Sequence, residues 1–135
     1  MLEKYLRKEW LHPGKNIKDK FLEAKPFPHL VLKDFFVEPF AREIEKAVQD
    51  ITLVRQESDL FSFAQSEDLH LSKNHILKEL HALLNSGEMK EWVLNATGIK
   101  ADDQIDSSVF LYGSADYLLP HEDTLEKRRV AYTYH

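Results

Sequence analysis

Of the seven histidines in the chain, only His121 is followed two positions later by an acidic residue, Asp123. In an extended strand, side chains two apart point to the same side, so an imidazole and a carboxylate at this spacing can reach one metal ion. Two histidines and a carboxylate on one face of an octahedron are the non-haem Fe(II) arrangement, which leaves positions open for a co-substrate and oxygen. Glu122, between them, points the other way and is not a ligand candidate. About half of one such pair is expected by chance at this composition, and a surface turn bearing His and Asp is the competing reading. Other site chemistries are thinly supported. The chain has no cysteine, which excludes disulfides, thiolate zinc sites, iron–sulfur clusters and cysteine nucleophiles. Its four glycines, Gly14, Gly87, Gly98 and Gly113, are too scattered for a dinucleotide fingerprint or a phosphate loop, and no HExxH occurs.

The elements that must position the pair can be read from periodicity. Leu2, Tyr5, Leu6 and Trp10 predict a short amphipathic helix over residues 2 to 11, broken by Pro13-Gly14. A second helical stretch covers Ile17 to Ala24, and Lys25-Pro26-Phe27-Pro28 then leads into an apolar strand, His29 to Leu32. Pro39 suits a first helical turn, and Phe40, Ile44, Ala47, Val48 and Ile51 predict a helix over 39–50. Ser72 can cap a helix with the stripe Ile76, Leu77, Leu80, Leu83 and Leu84, ending near Gly87. Met89, Trp92, Val93 and Ala96 mark another that stops at Gly98. Both stripes read as core faces.

From Gln104 the period becomes two, predicting a long strand to Gly113, another over Tyr117 to Asp123, a turn at Thr124 to Lys127, and a third strand over Arg128 to His135. Asp102 and Asp103 read as a solvated turn before them. Helices followed by strands predict an α+β domain with helices on one side of a β-sandwich or barrel. An open edge carrying Val130, Tyr132 and Tyr134 is a template for pairing with another chain, so association through that edge is an expectation.

The 135 residues, 43% hydrophobic and 30% charged, read as one soluble globular domain over residues 1–135, with no repeat or linker. The net charge of -5 argues against a direct nucleic-acid partner held by a basic face. The first residues, with Glu3, Lys4, Arg7, Lys8 and Glu9, do not form a signal peptide, and no stretch is apolar enough for a membrane span. The expected address is the cytoplasm or nucleus, with no membrane association.

Two blocks resemble a known family. Phe110 to Asp123, reading Phe-Leu-Tyr-Gly-Ser-Ala-Asp-Tyr-Leu-Leu-Pro-His-Glu-Asp, followed by Glu126 to Tyr132, resembles the iron(II)- and 2-oxoglutarate-dependent prolyl hydroxylases, in particular the ribosomal-protein prolyl 3-hydroxylase group. Ser58 to Leu69 is similar to that group's "DLYKFxQSxDL" segment, and Pro26-Phe27-Pro28-His29 to its lead-in strand. The similarity runs from about Lys25 to the last residues.

The resemblance implies helices packed on a double-stranded β-helix, or jelly-roll, of the 2-oxoglutarate oxygenase type, its barrel incomplete in this chain. It implies His121 and Asp123 as metal ligands and Tyr112 as a residue lining the 2-oxoglutarate pocket. The implied cofactor is Fe(II), with 2-oxoglutarate as co-substrate, O2 as oxidant and ascorbate as an accessory reductant. Oxidative decarboxylation then gives succinate, CO2 and an oxidant that takes a hydrogen from a proline ring carbon. The implied partner is a protein substrate, a proline of a small-subunit ribosomal protein.

The chain departs from the family pattern after Asp123. The family's distal metal histidine and its arginine for the far carboxylate of 2-oxoglutarate have no counterpart here. His135, near a chain end, is not a convincing replacement, and Arg128 and Arg129 read as partners of acidic surface groups. The expectation is the N-terminal part of an oxygenase domain, inactive by itself. The alternative is a non-catalytic binding module related to the oxygenases. Phe61 and Phe63 alternate as strand core residues, while the polar stretch Gln65 to Asp68 reads as a loop that either shapes a substrate entrance or only connects elements. Tyr117, Tyr132 and Tyr134 take packing roles first.

Overall fold

The computed structural model of the chain describes residues 1–101, 103–122 and 128–135. Asp102, Asp123 and the expected turn from Thr124 to Lys127 lie outside the described residues. The fold is α+β, with four helices and a four-stranded antiparallel sheet. The chain forms two compact units, Met1–Glu43 with Leu83–Gln104, and Ile44–Ala82 with Ile105–His135. Two further helices are α2 (Glu38–Gln49) and α3 (His75–Leu84).

In the first unit, residues 2 to 11 are not the expected helix. They form two short 3-10 turns, Leu2–Lys4 and Lys8–Trp10. The stretch between them is pulled into extended pairing: Leu6 bridges Phe36, the Arg7 N–H donates to the Phe35 carbonyl (3.1 Å) and the Val37 N–H to the Tyr5 carbonyl (2.8 Å). That cross-chain bridge outweighs the local periodicity. Tyr5, Leu6, Phe36 and Phe40 are buried together, with the Tyr5 and Phe36 rings 4.8 and 5.4 Å from that of Phe40. Helix α1 (Lys15–Glu23) packs on helix α4 (Gly87–Thr97), which buries Met89, Trp92, Val93 and Ala96 as its stripe requires. The expected strand at His29 to Leu32 is irregular backbone, and Val31 there is 79% exposed. Pro28 stands just before it, and among the described residues no strand pairs with the stretch.

In the second unit, α3 presents Ile76, Leu77 and Leu80 to the core, and its N-terminus is capped by Asn74, whose side-chain oxygen accepts from the Ile76 N–H (2.9 Å). Ser72, the expected cap, instead accepts from the Asn74 N–H (3.1 Å) and holds the preceding turn.

Strands β1 (Val54–Glu57) and β2 (Phe61–Gln65) form a hairpin, Val54 opposite Gln65 and Glu57 opposite Ser62. The other edge of β2 is shared by β3 (Phe110–Leu111) and β4 (Tyr117–Leu118), with Gln65 opposite Phe110, Ala64 opposite Leu111, Ser62 opposite Tyr117 and Phe61 opposite Leu118. The expected strands at Gln104 to Gly113 and Tyr117 to Asp123 are therefore two short pieces of one interrupted edge rather than two long neighbours. Between them residues 112–116 loop out opposite Phe63. Upstream of β3 the pairing continues without a regular ladder. The Ser66 N–H donates to the Val109 carbonyl and the Leu69 N–H to the Ser107 carbonyl (both 2.9 Å), while the Val109 N–H is taken by the Ser66 hydroxyl (2.9 Å) and the Ser107 N–H by Asp68 (3.1 Å). Side-chain oxygens thus replace rungs that backbone carbonyls would supply. Downstream, the ladder's last bond runs from the Leu119 N–H to the Leu60 carbonyl (2.8 Å), and Pro120, with no N–H to give, follows. Residues 128–135 are not in a strand.

Candidate functional site

Of the site residues singled out by sequence, Tyr112 lies in the looped-out segment between β3 and β4. Tyr112 begins it. Its ring centroid is 5.3 Å from that of Phe63, whose ring also stacks on Phe61 (5.0 Å) and meets Phe110 edge-on (5.3 Å). Phe63 is buried and Tyr112 is 45% exposed, so the phenol stands on an aromatic base with its far end in solvent. The core role expected for Phe61 and Phe63 is observed for Phe63, while Phe61 is only half-buried and stacks on it.

The loop is fastened by Asp116. Its carboxylate accepts from the Gly113 N–H (2.6 Å), closing the turn, and receives the Arg55 guanidinium through both terminal nitrogens, the Nη1 contact at 3.0 Å. Ser62 Oγ adds a contact at 3.3 Å. The Arg55 guanidinium, followed by the Gly113 N–H, pulls the Asp116 carboxyl down to about 2, outweighing the desolvation of a side chain only 5% exposed. Arg55 is raised in turn by its bonds to Asp116 and Glu57. Tyr117, at the start of β4, donates its hydroxyl to the Ser58 carbonyl (3.2 Å), a packing role for this tyrosine.

His121 follows β4 and is exposed. Its Nδ1 lies 3.0 Å from the Leu119 carbonyl oxygen. A carbonyl only accepts, so Nδ1 donates to it, and the ring is held by a backbone acceptor as metal-ligating histidines commonly are. The donor type at this position therefore suits a divalent metal. Its expected companion, Asp123, lies outside the described residues. Arg128 pairs with Asp106 at 3.8 Å, as its reading as a partner of acidic groups expected.

The sequence reading missed a second group. Asp68, His70 and His81 each offer a ligand atom within 4.8 Å of the others. Asp68 caps the 3-10 turn Leu69–Leu71 by accepting from the His70 N–H (3.0 Å), and the same oxygen lies 2.7 Å from His70 Nδ1 and 3.6 Å from His81 Nδ1. His81 Nδ1 also meets Ser107 Oγ at 2.7 Å. Partial burial pushes the Asp68 carboxyl up, but the His70 N–H and ring, the Ser107 N–H and the charge of His81 together hold it below its usual value. The order here is Asp-x-His, the reverse of the pattern sought, and its third member comes from a different element; only the Asp68-x-His70 spacing was visible in sequence.

No protein-family model matches the chain. Among curated proteins it is 34% identical over 112 residues to prolyl 3-hydroxylase OGFOD1 of Xenopus laevis, covering 82% of this chain and 22% of that protein. It is 31% identical over 112 residues to the protein of that name in Mus musculus, covering 82% and 20%. With prolyl 3-hydroxylase sudestada1 of Drosophila melanogaster the identity is 30% over 93 residues, covering 68% and 17%. The chain is a relative of the prolyl hydroxylase family, as the blocks at Ser58 to Leu69 and Phe110 to Asp123 suggested. It spans about a fifth of the length of the curated relatives it matches.

Proposed function

We propose that this chain forms part of an Fe(II)- and 2-oxoglutarate-dependent dioxygenase that hydroxylates a prolyl residue of a protein substrate, at carbon 3 and in a small-subunit ribosomal protein. The names of the relatives support prolyl hydroxylation as the activity class. The metal chemistry rests on His121, an imidazole exposed just after β4 whose ring is oriented by the Leu119 carbonyl at 3.0 Å from Nδ1; this observation carries the proposal. In this reading His121 and Asp123 hold the iron, and the ion with 2-oxoglutarate and O2 supplies the oxidising power for a C–H bond.

The chain's own residues orient and shield. Tyr112 lines the 2-oxoglutarate pocket from its aromatic base on Phe63, and Asp116 with Arg55 keeps the loop that presents it in shape. The jelly-roll belongs to the proposal as well, with β2 and the interrupted β3–β4 edge among its strands. So do ascorbate as accessory reductant, a cytoplasmic or nuclear location and association through the sheet's open edge. Among the described residues no helix is long and apolar enough to cross a membrane.

The test uses the native polypeptide that carries residues 1–135, incubated with Fe(II), 2-oxoglutarate, O2 and proline-containing ribosomal-protein peptides. Succinate release with gain of one oxygen atom on the peptide is expected, and His121→Ala or Asp123→Ala should abolish both. A double variant that keeps the biological activity unchanged would favour the binding module, a reading to which the exposed Phe110, Leu111, Tyr117 and Leu118 lend support.

A further inference from the structure

We propose that Asp68, His70 and His81 form a second binding site, separate from the His121–Asp123 pair, for a divalent ion of the zinc class. Two imidazoles and one carboxylate suit zinc rather than magnesium or calcium, which take oxygen ligands.

The distances are near those a small tetrahedral ion needs. Bonds of about 2.0 to 2.1 Å put neighbouring ligand atoms about 3.3 Å apart. Asp68 Oδ1 lies 2.7 Å from His70 Nδ1 and 3.6 Å from His81 Nδ1, on either side of that value. Small rotations of the two rings, whose centroids are 5.7 Å apart, bring the set to coordination geometry. His81 gives up its contact with Ser107 Oγ as it turns, and a water completes the tetrahedron.

The carboxylate is already prepared. Asp68 is fixed by two backbone N–H donors, from His70 at 3.0 Å and Ser107 at 3.1 Å, so its oxygens are oriented before any ion arrives. The side chains of Asp68 and His81 are 22% and 12% exposed while that of His70 is 56% exposed, which leaves an approach from solvent past the His70 ring. An ion here joins the 3-10 turn at Leu69–Leu71 to helix α3, and through Asp68 to the segment leading into β3. Its effect is to fasten the base of the sheet that carries Tyr112, not to act on substrate.

The test is calorimetric titration of the native polypeptide with Zn2+, alongside His70→Ala, His81→Gln and His121→Ala. His121→Ala should lose only the zinc held at the His121–Asp123 pair and keep a second site whose affinity equals that of the same site in the parent. His70→Ala and His81→Gln should weaken it more than about tenfold, since even outer partners of metal ligands are worth ten- to hundredfold. His81→Gln keeps a hydrogen-bonding group beside Ser107, and exposed His70 can be truncated without opening a cavity, so thermal scans of the metal-free variants should match the parent. Co2+ in place of Zn2+ should give visible absorption that the same two variants lose. The proposal is overturned if the parent takes up no zinc, if both variants bind as the parent does, or if His121→Ala alone removes the site.

Discussion

Arg55 on β1 and Asp116 beyond β3 are 61 residues apart and meet as a two-pronged ion pair across β2. The same carboxylate takes the Gly113 N–H, so one side chain both closes the looped-out turn and ties it to the far strand. The shape of the Tyr112 segment thus depends on a charge supplied from the opposite edge of the sheet.

This pair makes stability depend on acid. The Asp116 carboxyl sits at about 2 in the folded chain, below its unfolded value of about 3.9. A depressed carboxyl contributes fully above the unfolded value, and the contribution is lost as pH falls through the folded one. Asp116→Asn should therefore lower Tm at pH 7, and the gap to the parent should close between about pH 4 and pH 2. A gap independent of pH over that range would show that the charge of Asp116 is not what matters.

The ends of α4 make a second test. Ser86 caps its start by accepting from the Met89 N–H (3.1 Å), and Gly98 ends it with φ at 77° in the left-handed region. Ser86→Ala should cost about 1 kcal/mol. Gly98→Ala should cost about 1 to 2 kcal/mol of backbone strain, because the added Cβ at 2.9 Å from Lys18 Cε meets only a flexible chain that can move. Denaturant titration measures both, and a neutral Gly98→Ala would contradict the left-handed cap.

The four helices were legible because each signal is local: Pro39 in a first turn, Gly98 at a stop, and the stripes Ile76–Leu77–Leu80 and Met89–Trp92–Val93–Ala96 at helical spacing. What stayed hidden depends on partners distant in sequence. Leu6 leaves its helical pattern because Phe36 pairs with it, and β1 has too little apolar alternation in Val54-Arg55-Gln56-Glu57 to announce a strand. The alternation from Gln104 becomes strand only at Phe110–Leu111, because at Ser107 and Val109 the carbonyls pair with backbone while the N–H groups are taken by the side chains of Asp68 and Ser66. At the candidate site Tyr112 and His121 could be named from neighbouring residues, whereas Arg55 with Asp116, and His81 with Asp68, join elements that no spacing rule connects.

Phe63 is the buried foot of the aromatic group formed with Phe61, Phe110 and Tyr112. Phe63→Ala should cost about 3 kcal/mol through lost burial and the cavity left behind, read as a drop in the urea midpoint. Phe63→Leu should recover most of it, because volume-conserving apolar exchanges are tolerated best. If Phe63→Ala and Phe63→Leu were equally mild, the ring would not be a packed element.

Tyr112 offers the sharpest separation of pocket lining from packing. Its ring rests on Phe63, and its 45% exposure places the outer end of the phenol at the surface of the loop. Tyr112→Phe keeps the ring and the aromatic contact while removing one hydroxyl, so unfolding free energy should stay within about 0.5 kcal/mol of the parent, as for a surface change. If the hydroxyl binds 2-oxoglutarate as proposed, the native polypeptide carrying this substitution should show a KM for 2-oxoglutarate raised about tenfold or more, and the KM for the proline peptide should not move. A hydrogen bond to a charged group is worth about 1.5 to 3 kcal/mol, and about 1.4 kcal/mol is already tenfold in affinity, so the effect is within reach of steady-state kinetics. An unchanged KM for 2-oxoglutarate, with stability also unchanged, would remove Tyr112 from the pocket and leave it a loop residue seated on Phe63.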